Sequence, residues 1–258
     1  MSRFVDMLRR VSKTVPQSMG FRSTQPVSVE PRMLLVASFA QADIEDLAER
    51  VVGADAGLLH ITRLSSGADA LGKVSQAVPD IPWGGSLRNI AEVEVERMMK
   101  SGFDFVVFPP AGTPLATLKD DKVGKILEVE TSLSEGLLRA VDDLPLDAVL
   151  VANEQDGEYF LTWQHLMFFQ RYANLLTKPL LVYIPSDVSA NELQALWEAG
   201  VNGVVVGVET GQSVGKFKEL REVIGKLVFP SQRKQGKAEA LLPHIHVSEE
   251  AKVDAEDE

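Results

Sequence analysis

Five charged side chains follow apolar stretches of this chain, and their types are those that bind anions and divalent metal ions. Arg63 and Arg88 follow apolar runs in the first part of the sequence. Glu130, Glu154 and Asp187 follow later ones. The guanidinium group of arginine can hold a carboxylate or phosphate with two parallel hydrogen bonds, and carboxylate oxygens from two or more acids suit Mg²⁺ or Mn²⁺. This combination predicts a site that binds a small anion beside a metal ion.

The apolar stretches themselves have the length of strands and alternate with segments that can form helices. They are nearly continuous in apolar character, as strands covered on both faces must be. Strand–helix alternation predicts a parallel sheet, and eight such units favour a closed (β/α)8 barrel over the alternative, an open doubly wound sheet. No GxGxxG motif follows the first strand, so the dinucleotide-binding fingerprint is missing. The predicted strands are 33–39, 56–62, 81–87, 103–109, 125–131, 147–153, 179–185 and 203–208.

Helix starts are marked by residues that cap helices well. Asn89, Ser134 and Ser189 each precede a segment with helical spacing of apolar residues, and asparagine and serine are preferred at this position. Glycine ends the first and third of these segments, at Gly102 and Gly200. These signals predict helices between successive strands, including segments at 89–102 and 114–123.

A (β/α)8 barrel would bring the five charged residues together, because its active site lies in the loops after the carboxyl ends of the strands. The two arginines follow the second and third strands, and the three acids follow the fifth, sixth and seventh. Glu130 and Glu154 are the predicted metal ligands, with or without Asp187. Arg63 or Arg88 would hold the substrate anion, and the ion would stabilise an enolate-like intermediate. The predicted function is metal-assisted lyase or isomerase chemistry on a small anionic metabolite.

Three other residues near strand ends have structural as well as functional interpretations. Glu128 shares its strand parity with Glu130, so an inward Glu128 would lie deeper in the barrel and need a partner. His60 lies within an apolar run and is better explained as a core histidine held by hydrogen bonds than as a ligand. Trp83 precedes a glycine pair, which would allow the backbone to approach a ligand, so we consider Trp83 a candidate site residue.

The composition excludes several classes of function. The chain has 258 residues, no cysteine and a formal net charge of -11. Disulfides, thiolate metal sites and cysteine nucleophiles are therefore excluded, and a reducing cytoplasm is the expected location. The acidic balance argues against a nucleic-acid partner. No apolar run reaches the ~20 residues that a membrane-spanning helix requires.

Both ends of the chain lie outside the strand–helix pattern. We expect an N-terminal extension at 1–31, the barrel at 32–229 and a disordered acidic tail at 230–258. The extension contains an amphipathic helix with Phe4, Leu8 and Val11 on its apolar face. We interpret this helix as a cap on the body of the protein; the alternative is a basic helix on a membrane surface.

Aromatic residues are concentrated in and before one predicted helix, at about 162–177. They occupy more than one side of it, which indicates contact with two surfaces, one being the barrel. A second subunit is a candidate for the other surface, so we predict a homo-oligomer. The residues concerned are Phe160, Trp163, Phe168, Phe169 and Tyr172.

Residues 179–208 resemble the last two units of phosphate-binding (β/α)8 barrels, a group with flavin-dependent oxidoreductases and biosynthetic isomerases and synthases. The resemblance rests on ANELQALWEAGVNGVVVG. It implies that the backbone at Gly207 lies against a phosphate, with FMN as an alternative cofactor. The chain departs from this group at 185–187, where Pro-Ser-Asp replaces a glycine pair, and at 208–209, where Val-Glu replaces small residues. These departures favour a further alternative, a barrel without catalysis that serves as an assembly or regulatory protein.

A second, shorter stretch, MMKSGFDFVVFPP, is similar to the strand entry of metal-dependent aldolases that act on 2-oxo acids. Those barrels bind a divalent ion through acids after the fifth and sixth strands, and an arginine holds the substrate. The resemblance implies these roles for Glu130, Glu154 and Arg88.

Overall fold

Eight parallel strands close into a barrel in which each strand pairs with the next along the chain and the last pairs with the first. The computed structural model describes residues 2–13, 32–40, 47–61, 64–87, 102–115, 122–152, 160–208 and 215–227. The predicted (β/α)8 barrel is confirmed, and the open sheet is wrong. The strands are β1 (Leu34–Phe39), β2 (Ala56–Ile61), β3 (Trp83–Leu87), β4 (Phe105–Phe108), β5 (Gly124–Val129), β6 (Ala148–Val151), β7 (Leu180–Ile184) and β8 (Gly203–Gly207).

Described helices lie before the first strand, between several pairs of successive strands and after the last strand. Two of the three predicted caps can be checked. The side chain of Ser134 accepts a hydrogen bond from the backbone of Leu137, and that of Ser189 accepts one from Glu192. Both predicted starts are confirmed. Asn89 and most of the predicted helices at 89–102 and 114–123 lie outside the described residues, as does the tail at 230–258. The described helices are α1 (Arg3–Lys13), α2 (Leu47–Arg50), α3 (Leu64–Ala77), α4 (Glu135–Asp143), α5 (Trp163–Leu175), α6 (Ala190–Glu198) and α7 (Lys216–Gly225).

The stagger of the strands determines which side chains meet inside the barrel. Following the strand pairings once around the barrel returns to β1 eight residues before the starting position. This is the stagger of (β/α)8 barrels, in which the interior is filled by layers of four side chains from alternate strands. Along β1, for example, Leu34 and Val36 belong to the inner cluster, whereas Leu35 and Ala37 belong to the cluster beneath the surrounding helices.

Helix α1 closes the amino-terminal end of this barrel. Phe4 is completely buried and its ring stacks on that of Phe105, with the ring centroids 4.3 Å apart. Leu8 and Val11 are buried in the same cluster as the inward residues of the strands. The capping interpretation of α1 is therefore correct, because the apolar face that a membrane would need is already covered by the barrel.

The start of α1 is held by a carboxylate from another element. Asp104, just before β4, accepts hydrogen bonds from the Ser2 hydroxyl at 2.7 Å and from the backbone nitrogens of Arg3 and Phe4 at 2.8 and 2.9 Å. Free backbone N–H groups and the helix dipole both favour an anion at this end of a helix. Asp104 thus serves as a cap supplied by the barrel. Within the described ranges, no helix is long and apolar enough to span a bilayer.

We expect Gly84→Ala to lower the free energy of unfolding by about 1–3 kcal/mol, because a methyl group there overfills the interior. A Cβ on Gly84 would stand 2.2 Å from the Phe105 ring. Gly72 is the matched control, since no described atom lies within 4 Å of its Cβ position in α3. Gly72→Ala should stabilise the protein by about 0.5–1 kcal/mol. Urea denaturation of both variants tests this, and a neutral Gly84→Ala would contradict the packing of Phe105.

Candidate active site

The inward side chains form a stack of layers that is apolar above α1 and becomes polar near the carboxyl ends of the strands. Each layer draws on alternate strands, as the register dictates. The first three layers are Ala56, Phe105, Ala148 and Gly203; then Val36, Gly84, Ile126 and Leu181; then Leu58, Val107, Leu150 and Val205. The fourth, which we call the polar layer, consists of Ser38, Ser86, Glu128 and Tyr183.

Three of the four residues of the polar layer are buried although they carry polar groups, and Tyr183 is partly exposed. Ser38, Ser86 and Glu128 are only 4%, 1% and 4% exposed. The four residues come from β1, β3, β5 and β7, so Ser38 lies across the barrel from Glu128, and Ser86 from Tyr183. Branched apolar residues usually fill such layers, and burying polar groups costs free energy unless they find partners. The polar layer is therefore the part of the interior that packing alone does not explain.

His60 connects the polar layer to the mouth of the barrel. It lies on β2, one layer further toward the carboxyl ends, and its side chain is partly exposed. Its Nε2 is 2.8 Å from the hydroxyl oxygen of Ser38. The predicted hydrogen bond to His60 is thus present, and the ring lies one layer closer to the carboxyl ends of the strands than the hydroxyl it contacts.

Ser86 is a buried polar group without a visible partner. Among the described residues, no atom forms a hydrogen bond with its hydroxyl oxygen. Leaving such a group unsatisfied costs about 1–3 kcal/mol. The register pairs Ser86 with His60 on the neighbouring strand. The unsatisfied hydroxyl therefore lies beside the histidine, in the same part of the interior.

Three of the residues predicted from the sequence can be located. Glu130 and Asp187 are exposed just beyond β5 and β7, respectively. A carboxylate oxygen of Glu130 accepts a hydrogen bond from the Ser132 hydroxyl at 3.2 Å. The backbone carbonyl of Glu130 accepts one from the Tyr172 hydroxyl. Gly207 ends β8 and pairs with Ser38 of the polar layer. No described atom lies within 4 Å of a Cβ placed on Gly207, so the space beside its backbone is open.

The other predicted site residues, Arg63, Arg88 and Glu154, lie outside the described residues. Within the described part of the chain, no three histidine, aspartate or glutamate side chains form a group that could hold a metal ion. The predicted ligand set includes Glu154, so it stays a prediction.

Trp83 is wrong as a candidate site residue. Its indole nitrogen donates to the Val78 carbonyl at 3.0 Å, and its ring lies near that of Phe39, outside the barrel wall. Packing also explains two of the nearby glycines, because a Cβ on Gly57 would meet the Trp83 ring at 2.2 Å, just as one on Gly84 would meet a phenylalanine ring. These glycines make room for aromatic rings, so they give no reason to place a ligand at Trp83.

Ser38 and Tyr183 were not predicted as site residues from the sequence, and Ser86 was noted near a strand end without a role, although a local signal existed. Each is the penultimate residue of its strand, as are His60 and Glu128. A polar residue that recurs at the same place near the ends of five apolar strands indicates neighbouring levels at one end of a barrel interior. This signal can be recognised only if the end of each strand is predicted to within one residue.

Comparison with known proteins identifies the fold. No family model and no curated protein matches the chain. The tryptophan synthase α-subunit from Pyrococcus furiosus is similar, with a TM-score of 0.57, 14% identity, and 76% of this chain and 97% of that chain covered. Orotidine 5′-phosphate decarboxylase from Pyrococcus horikoshii is also similar, with a TM-score of 0.55 and 11% identity. This match covers 74% of this chain and 99% of that chain. At these identities the likeness shows the fold alone, and it confirms the (β/α)8 barrel that the resemblance of residues 179–208 implied.

Proposed function

We propose that this protein is an enzyme of the lyase or isomerase type that binds a small anionic metabolite in the mouth of the barrel. Glu128 and His60 would transfer the protons of the reaction. The observation that carries this proposal is the polar layer: a carboxylate and three hydroxyls replace apolar side chains directly below the mouth. A barrel that served only as a scaffold would gain stability from apolar residues at these positions.

The two acid–base groups differ in chemistry and surroundings, which suits them to different roles. Glu128 is a carboxylate in the polar layer, and His60 is an imidazole one layer closer to the carboxyl ends of the strands. The Ser38 hydroxyl restricts the orientation of the His60 ring through the bond to Nε2. Lyase and isomerase reactions remove a proton at one atom and return one at another, and two such groups can divide these steps.

The anionic part of the substrate would lie at the rim of the mouth. Arg63 and Arg88 are the predicted anion-binding side chains, and the open space beside Gly207 admits a ligand close to the backbone. Orotidine 5′-phosphate decarboxylase, which has a similar fold, is named for a phosphorylated substrate. This supports a phosphorylated metabolite as the first class of compound to test.

A thermal-shift assay tests the roles of Glu128 and His60. The compounds are inorganic phosphate, sugar phosphates and small 2-oxo and hydroxy acids, each with and without Mg²⁺ or Mn²⁺. We expect one of the organic anions to raise the melting temperature of the wild type, and Glu128→Gln and His60→Gln to abolish or strongly reduce that shift. With the substrate identified, Glu128→Gln should lower kcat about 10²–10⁴-fold, the usual contribution of one acid–base group.

Glu222→Gln is the matched control for these variants. Glu222 is an exposed glutamate on α7, away from the barrel interior, and its replacement should leave the ligand shift unchanged. The organic anion could instead stabilise Glu128→Gln and His60→Gln as much as the wild type. In that case these two residues are not part of the site and the proposal is wrong.

A divalent metal ion is the second component of the proposed site. Glu130, Glu154 and Asp187 would hold Mg²⁺ or Mn²⁺ at the rim, where the ion would supply positive charge beside the substrate oxygens. A stabilisation by either ion alone that disappears in Glu130→Gln supports this ligand set. A stabilisation that persists in Glu130→Gln places the ion elsewhere.

A second candidate is a flavin- or phosphate-binding barrel with oxidoreductase or synthase activity. The open backbone at Gly207, at the end of β8, favours it. A flavin absorption spectrum in the purified protein, or a shift with FMN larger than with any metabolite, would support this candidate over the first.

A further inference from the structure

Exposed large apolar side chains are concentrated on one side of the protein. Of the seven in the described residues, four belong to α4, α5 or the residues just before α5, and they come from the amino-terminal halves of these helices. The two helices contact each other. We call this group the apolar face; it consists of Leu137 (56% exposed), Phe160 (68%), Trp163 (83%) and Met167 (71%).

The apolar face is also unusual in its lack of charge. The exposed side chains of α5 are all uncharged, in a chain in which 24% of residues are charged. They are Trp163, Gln164, Met167, Gln170 and Asn174. Protein interfaces are enriched in aromatic residues and methionine and are depleted of charge at their centres. The outer side of α5 therefore has the composition of an interface and not that of a solvated helix.

We propose that the apolar face pairs with the same face of a second copy of this chain, in a dimer with twofold symmetry. Each copy carries a net charge of -11, so two copies repel each other over most of their surfaces and approach most easily where charge is absent. In a twofold contact, residues near the axis meet their own counterparts. A charged residue there would meet a like charge, whereas tryptophan, methionine and glutamine would not.

The charges next to the apolar face fit this arrangement as well. Glu135 and Arg139 form an ion pair within α4, with 2.9 Å between nitrogen and oxygen, and the partly exposed Arg171 of α5 interacts with the same glutamate. These charges are thus compensated largely within one protomer. A basic partner protein would need an acidic surface, and an anionic membrane would need a basic one. The apolar face offers neither, which favours a second copy as its occupant.

The position of the face brings the second copy close to the mouth of the barrel. Helix α5 follows β6, so its first residues lie toward the carboxyl ends of the strands. In the sequence, Phe160 and Trp163 come shortly after Glu154, one of the predicted site residues. The dimer would thus bury the surface at the amino-terminal end of α5.

The molar mass in solution tests the pairing. By light scattering coupled to size-exclusion chromatography, we expect the 258-residue protein to have twice the 28.2 kDa of one chain. The double variant Trp163→Glu, Met167→Glu should have the mass of one chain and retain the circular dichroism spectrum of the wild type. Val52→Glu is the matched control, because Val52 is 51% exposed next to α2, on the opposite side of the barrel; it should remain a dimer.

Site-specific cross-linking gives a second readout that does not depend on a destabilising charge. The chain has no cysteine, so Met167→Cys introduces the only thiol. Mild oxidation should convert this variant to a disulfide-linked dimer, whereas Val52→Cys should form no disulfide link between the two copies. The proposal is overturned if the wild type is monomeric at its highest soluble concentration. This holds also if the monomer binds vesicles or another protein. A dimer that survives the double variant, or equal cross-linking at both positions, overturns it as well.

Discussion

Replacing Phe4 by alanine will lower the free energy of unfolding by about 3–5 kcal/mol, the usual cost of removing a buried phenylalanine ring. Phe4 is 0% exposed and stacks on Phe105 in the lowest part of the barrel interior. Its removal leaves a cavity between α1 and the first layer of side chains, and the rigid strand ends around that cavity cannot collapse into it. Urea denaturation followed by circular dichroism measures the loss.

A pair of leucines provides the control for this prediction. Leu8 is also 0% exposed in α1, whereas Leu115, beyond β4, is 81% exposed. Leu8→Ala should cost about 2–5 kcal/mol, and Leu115→Ala about 0.5 kcal/mol or less. If Phe4→Ala and Leu8→Ala were as mild as Leu115→Ala, α1 would not be part of the cooperative unit and the closure of the barrel by this helix would be refuted.

Replacing Arg221 by methionine will cost about 3 kcal/mol at neutral pH, because it leaves a largely buried carboxylate without its partner. Arg221, on α7, forms an ion pair with Asp55, and their side chains are 25% and 18% exposed. Arg221 also donates to the carbonyl oxygens of Gly53 at 2.9 Å and Met33 at 3.3 Å. One side chain thus connects the last described helix to the segments that precede the first two strands.

The loss of stability in Arg221→Met will depend on pH. Burial raises the pKa of Asp55 above its ordinary value, and Arg221 together with the backbone N–H of Leu35 offsets part of that rise. Without Arg221 the pKa of Asp55 rises further. A group with a raised pKa in the folded state destabilises that state as the pH rises through the folded pKa. The loss is therefore smallest in acid, where Asp55 is protonated in both states, and grows toward neutral pH.

Urea denaturation of wild type and variant at a series of pH values measures this dependence. Lys216→Met is the matched control on the same helix, since Lys216 pairs with Glu219 at 3.9 Å and the glutamate is 73% exposed. Exposed pairs of this kind contribute about 0.5 kcal/mol, so its effect should be small at every pH. An Arg221→Met loss that is the same in acid and at neutral pH would show that Asp55 is not the group responsible.

The sequence by itself determined the elements and their order, because those depend on neighbouring residues. Nearly continuous apolar runs mark the eight strands, Ser134 and Ser189 mark helix starts, and the spacing of Phe4, Leu8 and Val11 marks the buried side of α1. Eight strand–helix units then favour a closed barrel. For this part of the structure, local chemistry was sufficient.

The tertiary structure alone decided which of the candidate residues come together. Parity along a strand says that Ser38 and Val36 share a face, but it does not say whether that face points into the barrel or toward the helices. Trp83 was misjudged for this reason: its face of β3 is the outer one. The eight-residue stagger then sets Ser38, Ser86, Glu128 and Tyr183 at one level, although they are far apart in the sequence. Closure and stagger arise from the pairing of all eight strands at once, so a polar residue near the end of one strand does not by itself show that these four side chains meet.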